Sequence, residues 1–191
     1  MGAAQWIMMD VANGVGPLCS SDLLSNQRYE TLRGELLRQG SEAKADRRLR
    51  LDDHISILFE NRFMVWLQIQ EEKRWLTNPS PEHVSTILER NNVLVAKPGE
   101  LRASLFLDSR DQETVEHYAT SLTIDEIQLK LRLGGWVMEA QSLESERLFI
   151  EGVNYIVFFQ GERCSTEAEF IEWAPDGVQE RILPTAMSEV L

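Results

Sequence analysis

Residues 58–76, LFENRFMVWLQIQEEKRWL, decide the fold, because they fit two periods at once. Val65, Leu67 and Ile69 alternate as they would on one face of a strand. Trp66, Ile69, Lys73 and Leu76 recur at helical spacing, and so do Gln68, Glu71, Glu72 and Trp75. The length of the run and its many straight-chain residues favour a helix over 62–76. Pro79 and Pro81 end it and open a second helix, PEHVSTILERNN. Glu60, Asn61 and Arg62 interrupt the apolar run at its start. Such groups are costly to bury unless they have partners.

Upstream, Ser21 and Asp22 are good N-caps for LLSNQRYETLRGELLRQ, whose Tyr29, Leu32 and Leu36 share one face. Residues 1–20 hold glycines and a proline with no clear period, and read as a flexible N-terminal arm before a single domain over 21–191. LRLDDHISILFEN reads as two short strands or one bent strand.

Downstream the chain turns β-rich. ELRASLFLD is a strand, and SRDQETVEHYATSL is a short helix capped by Ser109. Ile127, Leu129, Leu131 and Leu133 alternate up to a Gly134–Gly135 turn or bulge. RLFIEGVNYIVFFQGE adds one or two strands, and the tail an edge strand and a Pro-Asp-Gly turn. N-terminal helices followed by a mostly antiparallel sheet make an α+β fold.

The chain has 191 residues, 43% hydrophobic and 26% charged, which suits a folded domain. Nineteen basic against 31 acidic side chains give a formal charge of −12, which repels nucleic acid and anionic lipid and suits a cationic or protein partner better; solubility alone explains the same charge. Cys19 and Cys164 lie far apart and form no Cys-x-x-Cys pair. No leader pattern or membrane-length apolar run is present, so a cytoplasmic location is expected.

No glycine-rich nucleotide loop and no G-x-S-x-G elbow occurs. Glu113 and His117 lie four apart, where a carboxylate and an imidazole can converge on iron, zinc or manganese; a solvated helix face explains the same spacing. His54 follows Asp52 and Asp53, which reads as a ligand cluster or as an aspartate-rich turn. Lys44, Arg47, Arg48 and Arg50 form a basic island, either an anion or partner contact or a solvated loop. Of the five tryptophans most are core candidates, and an exposed pair would point to an interface. Glu60, Arg62, Gln68 and Glu71 read as a buried polar brace between strand and helix, or as groups opened to a pocket.

RRLRLDDHISILFENRFMVWLQIQEEKR resembles the uncharacterised bacterial family named domain of unknown function 3501. The likeness rests on Arg47-Arg48, on Leu58-Phe59-Glu60-Asn61-Arg62 and on Gln68-Ile69-Gln70-Glu71, and extends over residues 21–162. The family continues with Met and an apolar helix where this chain has Glu72, Lys73 and Arg74. The resemblance implies a gene context near rubrerythrin-like di-iron proteins and iron–sulfur oxidoreductases. The expected role is therefore that of an accessory or partner protein in a redox system. The alternatives are a metal-dependent enzyme using Glu60 and Glu71 with His54 or His117, and a small-molecule binder with a β-rich pocket.

Overall fold

Ala3–Asn13 fold as a helix, α1, in the segment the sequence reading leaves as an arm. Ala4, Ile7 and Val11 recur every three to four residues and are buried. The glycines that obscure this period lie beyond it, Gly14 at the C-cap and Gly16 at a φ of 78°. The chain is then pinned at Leu18. Its N–H donates to Asn92 Oδ1 at 2.7 Å, and its C=O accepts from Asn92 Nδ2 at 2.8 Å.

The second helix, α2 (Asn26–Ala45), starts later than the Ser21–Asp22 pair suggests. Asp22 instead closes a 3-10 turn over Ser20–Asp22, accepting the Cys19 N–H at 2.8 Å. The ambiguous stretch is helical, α3 (Arg62–Arg74), and its N-cap is Asn61, whose Oδ1 accepts from the Met64 N–H at 2.8 Å. A Cβ on Gly40 would stand 2.3 Å from Leu67 Cδ2, so α2 and α3 meet there at glycine distance. Next comes α4 (Pro81–Asn92), capped by Ser80 with a proline in its first turn.

The computed structural model describes residues 2–109, 111–121, 129–143, 153–163, 170–173 and 179–183. These fall into two units that alternate along the chain. The helical one takes Met1–Ala45 and Glu60–Lys97, and the sheet unit takes Asp46–Phe59 and Pro98–Leu191.

The strands of the second unit are β1 (Arg48–Arg50), β2 (Ile55–Phe59), β3 (Glu100–Leu107), β4 (Lys130–Leu133), β5 (Trp136–Ser142), β6 (Val153–Arg163), β7 (Phe170–Trp173) and β8 (Gln179–Ile182). They form one antiparallel sheet in the order β1-β2-β3-β6-β5-β4-β7-β8. Gly134 and Gly135, at φ 57° and 77°, turn β4 into β5 with Leu133 opposite Trp136. The core lies on the face carrying Ile57, Phe59, Ala103, Leu105, Leu131, Ile156 and Phe158, where the Phe59 and Phe158 rings stand 5.9 Å apart. A short helix, α5 (Gln112–Ser121), follows β3. Its first turn is held by Asp111, which accepts the Thr114 N–H at 2.9 Å, while Ser109 Oγ accepts the Asp111 N–H at 3.2 Å.

The architecture is α+β, helices first and an antiparallel sheet after, with the β1–β2 hairpin inserted between α2 and α3. No described helix is long and apolar enough to cross a membrane. The charge divides unevenly. The helical unit has ten acidic and nine basic residues and the sheet unit 21 and ten, so almost all of the negative excess belongs to the sheet unit.

Candidate functional site

The resemblance motif lies on α3, which buries Phe63, Met64, Val65, Trp66, Leu67, Ile69 and Gln70. A helix buried on most of its sides must pair its polar groups. Arg62, with a side chain only 11% exposed, does so three times. Its Nη1 donates to Val11 C=O at 3.0 Å, its Nε to Gly16 C=O at 3.1 Å, and its Nη2 to Asp22 Oδ2 at 3.0 Å. One guanidinium thereby joins the end of α1, the loop after it and the 3-10 turn to α3. Trp66, one turn on, donates its indole N–H to Asp22 C=O at 2.8 Å.

Glu71 anchors the other end. Its Oε1 accepts the Tyr29 hydroxyl at 2.7 Å, and Arg33 grips both oxygens through Nε at 2.8 Å and Nη2 at 2.7 Å. These three donors tie α2 to α3 with a bidentate pair. The Arg33 bonds hold the Glu71 carboxyl below its ordinary 4.5, against the opposing effect of burial and with help from Tyr29. Burial, then the Glu71 carboxylate, pushes the Tyr29 hydroxyl up from its ordinary 10. At Asp22 burial opposes ionisation, but the bonds from Cys19 and Arg62 outweigh it and keep the carboxyl below 3.8.

A pH dependence follows from these directions. Folded values below the ordinary ones mean that both carboxylates contribute in full above about pH 4.5 and lose that contribution as pH falls through the folded values. Tyr29 has the opposite sign, contributing below its ordinary 10 and losing effect as pH rises beyond it. Urea midpoints measured against pH should therefore fall on both flanks. In Glu71→Leu the acid flank should be shallower, because one of the carboxylates that the fold holds ionised is gone.

The other motif residues take different places. Glu60 is half-buried just before Asn61, whose Oδ1 caps α3. Gln68 is exposed and reaches Glu72 at 3.5 Å, so it does not join Glu71 in a buried network. The buried glutamine is Gln70, 1% exposed, whose Nε2 has no hydrogen-bond partner among the described residues. Its spacing from Phe63 and Trp66 puts it on the core-facing side, a signal present in the sequence.

The residues that depart from the family pattern are also engaged. Glu72 accepts from Arg90 and from the buried Asn91, tying α4 to α3. Lys73 donates to Leu24 C=O, and Arg74 pairs with Glu30 while lying 4.9 Å over the exposed Trp75 ring.

Arg62 and Asp22 also line a cleft of about 650 Å³ in the helical unit. Its walls include Ile7, Val11, Leu23 and Leu24, and Trp6 and Val15 stand beside them with 58% and 89% of their surface exposed. Trp6 and Trp75 are thus an exposed tryptophan pair, whereas Trp66 is fully buried.

The remaining candidates are not drawn into one site. Lys44 is exposed on the last turn of α2, while Arg47, Arg48 and Arg50 belong to the sheet unit. Arg48 donates to Ser56 Oγ at 2.7 Å, pairs with Asp108 at 3.2 Å and lies 4.6 Å over Phe106. Arg50 folds onto Asp52 C=O and Asp53 C=O at 3.2 and 2.6 Å. Asp52 Oδ1 accepts the N–H groups of His54 and Ile55, both at 2.7 Å, so this segment is an aspartate-built turn into β2. Glu113 is exposed on α5; His117 is on the same helix, but its side chain lies outside the described residues, as does Cys164. Among the described residues no group of three or more His, Cys, Asp and Glu is placed to hold a metal ion.

The chain is similar in fold to a protein of unknown function from Burkholderia pseudomallei K96243, known from its crystal structure. The TM-score is 0.76 at 17% identity, covering 92% of this chain and 97% of that one, a likeness that concerns fold alone. No curated protein matches the sequence. The family described as "Protein of unknown function (DUF3501)" matches residues 17–167, a span that includes Arg62, Glu71, Asp22, Tyr29 and Arg33, while the Val11 and Gly16 carbonyls that Arg62 also holds lie before it. The chain belongs to that family, domain of unknown function 3501.

Proposed function

We propose that this is a cytoplasmic accessory protein that acts by binding another protein, a redox metalloprotein of the rubrerythrin-like di-iron or iron–sulfur class. The observation that carries the reading is how the motif is used. Arg62 and Glu71 are engaged in internal pairs, and Glu71, held ionised by three donors, is a weak base. A motif that braces helices leaves the working contacts to the surface. The acidic excess of the sheet unit supports a partner with a basic face, since such a field speeds encounter and selects against acidic partners. The choice of a redox partner rests on the gene context that the family resemblance implies.

The small-molecule alternative has one observation in its favour, a groove of about 380 Å³ with Leu101, Leu133, Trp136 and Met138 on its walls.

The test is a pull-down of the neighbouring gene products at low and high salt, with metal content measured on the complex and on the protein alone. The reading expects a complex that weakens as salt rises, its metal carried by the partner. Absence of a complex at micromolar concentration, with stoichiometric metal on the lone protein, would overturn it.

A further inference from the structure

We propose that the cleft of the helical unit is a self-association site, filled by the α1 face of a second copy of this chain about a two-fold axis. This does not rest on the redox reading. A two-fold interface uses one patch twice, so the patch must carry both a projection and a hollow to receive it. Here α1 supplies the projection, with Trp6 and Met9 one turn apart and 58% and 43% exposed. The cleft of about 650 Å³, whose wall Trp6 shares, is the hollow, and its lining is mixed, with Ile7, Val11, Leu23 and Leu24 beside Asp22 and Arg62. An indole entering such a pocket is the residue type that most often dominates an interface.

The charges point to a second copy rather than to a foreign chain. Asp10 on α1 and Arg28 on α2 both line the cleft and are exposed. Neither has an ion-pair partner among the described residues. Two-fold pairing sets Asp10 of each copy against Arg28 of the other, satisfying both charges twice. A partner of single charge sign would satisfy one and repel the other. Two chains of charge −12 repel overall, but the helical unit, with ten acidic and nine basic residues, is where that repulsion is least. Arg62, itself part of the lining, already ties Val11, Gly16 and Asp22 together, so the hollow exists before association and little ordering is needed.

Sedimentation velocity on the full chain over the micromolar range is the test, with circular dichroism confirming that each variant is folded. The wild type should form a dimer. Trp6→Ser should weaken it by about tenfold or more. Asp10→Arg and Arg28→Asp should each weaken it, because each sets like charges face to face, and the double reversal should return the dimer to within about threefold of wild type. Trp75→Ser, which alters an exposed tryptophan outside the cleft, should leave it unchanged. A wild type that stays monomeric, a dimer indifferent to Trp6→Ser, or a double reversal no better than either single change would each overturn the proposal. So would a monomer whose cleft instead takes up a different protein.

Discussion

Trp66→Ala is expected to lower the unfolding free energy by about 4 kcal/mol. The side chain is fully buried, stacks on Phe63 at 5.9 Å and meets Tyr29 edge-on at 6.3 Å. Removing it leaves a cavity among three elements and takes the donor away from Asp22 C=O. Small domains have only about 5–15 kcal/mol in total, so the variant should show a much lower urea midpoint and a weakened near-ultraviolet signal. Trp66→Phe separates the two contributions. It keeps most of the packing and loses the hydrogen bond, and should cost about 1 kcal/mol. Equal losses in both variants would place the effect on the hydrogen bond rather than the ring.

Arg62→Met comes next, at about 3 kcal/mol. The methionine fills part of the volume but donates nothing. Two backbone carbonyls lose a donor, and the Asp22 carboxylate loses its cation. Gly14→Ala probes the same latch from the other side, because a Cβ there would stand 2.4 Å from Arg62 Nη1. The guanidinium would have to move, at a cost of about 1–3 kcal/mol. Both variants should speed protease cleavage between α1 and the 3-10 turn more than cleavage in the sheet unit, since the lost bonds hold that loop. Uniform acceleration across both units would mean that Arg62 contributes only to global stability.

How far these features can be read in advance depends on how local their causes are. The helical state of 62–74 was legible because propensity and length act within the segment. So were the Pro81 helix start and the Gly134–Gly135 turn, each set by the backbone preference of one or two residues. α1 escaped notice because nearby glycines and a helix start without a side-chain cap dilute its period of Ala4, Ile7 and Val11. The place of β6 between β3 and β5 was not legible, since strand order arises from contacts distant in sequence.

The site divides in the same way. Arg62 and Glu71 stood out as polar groups in an apolar run. Their partners Asp22, Tyr29 and Arg33 lie 38 to 42 residues away and carry no local mark of the pairing. Gln70 was hidden behind Gln68 because Gln68 falls at helical spacing with the charged Glu71 and Glu72. On a helix the same pair points to opposite fates, one in the core and one in water. The separation of charge between units became visible only once each residue had been assigned to one of them.

Whether the motif is a brace is tested most directly by a double-mutant cycle on Arg33 and Glu71, read by urea denaturation near neutral pH. A brace predicts that Arg33→Met and Glu71→Leu each lower the urea midpoint, and that the double variant lowers it by clearly less than the sum of the two. Single and double variants as stable as the wild type would contradict it, and would return Glu71 to the groups available for chemistry.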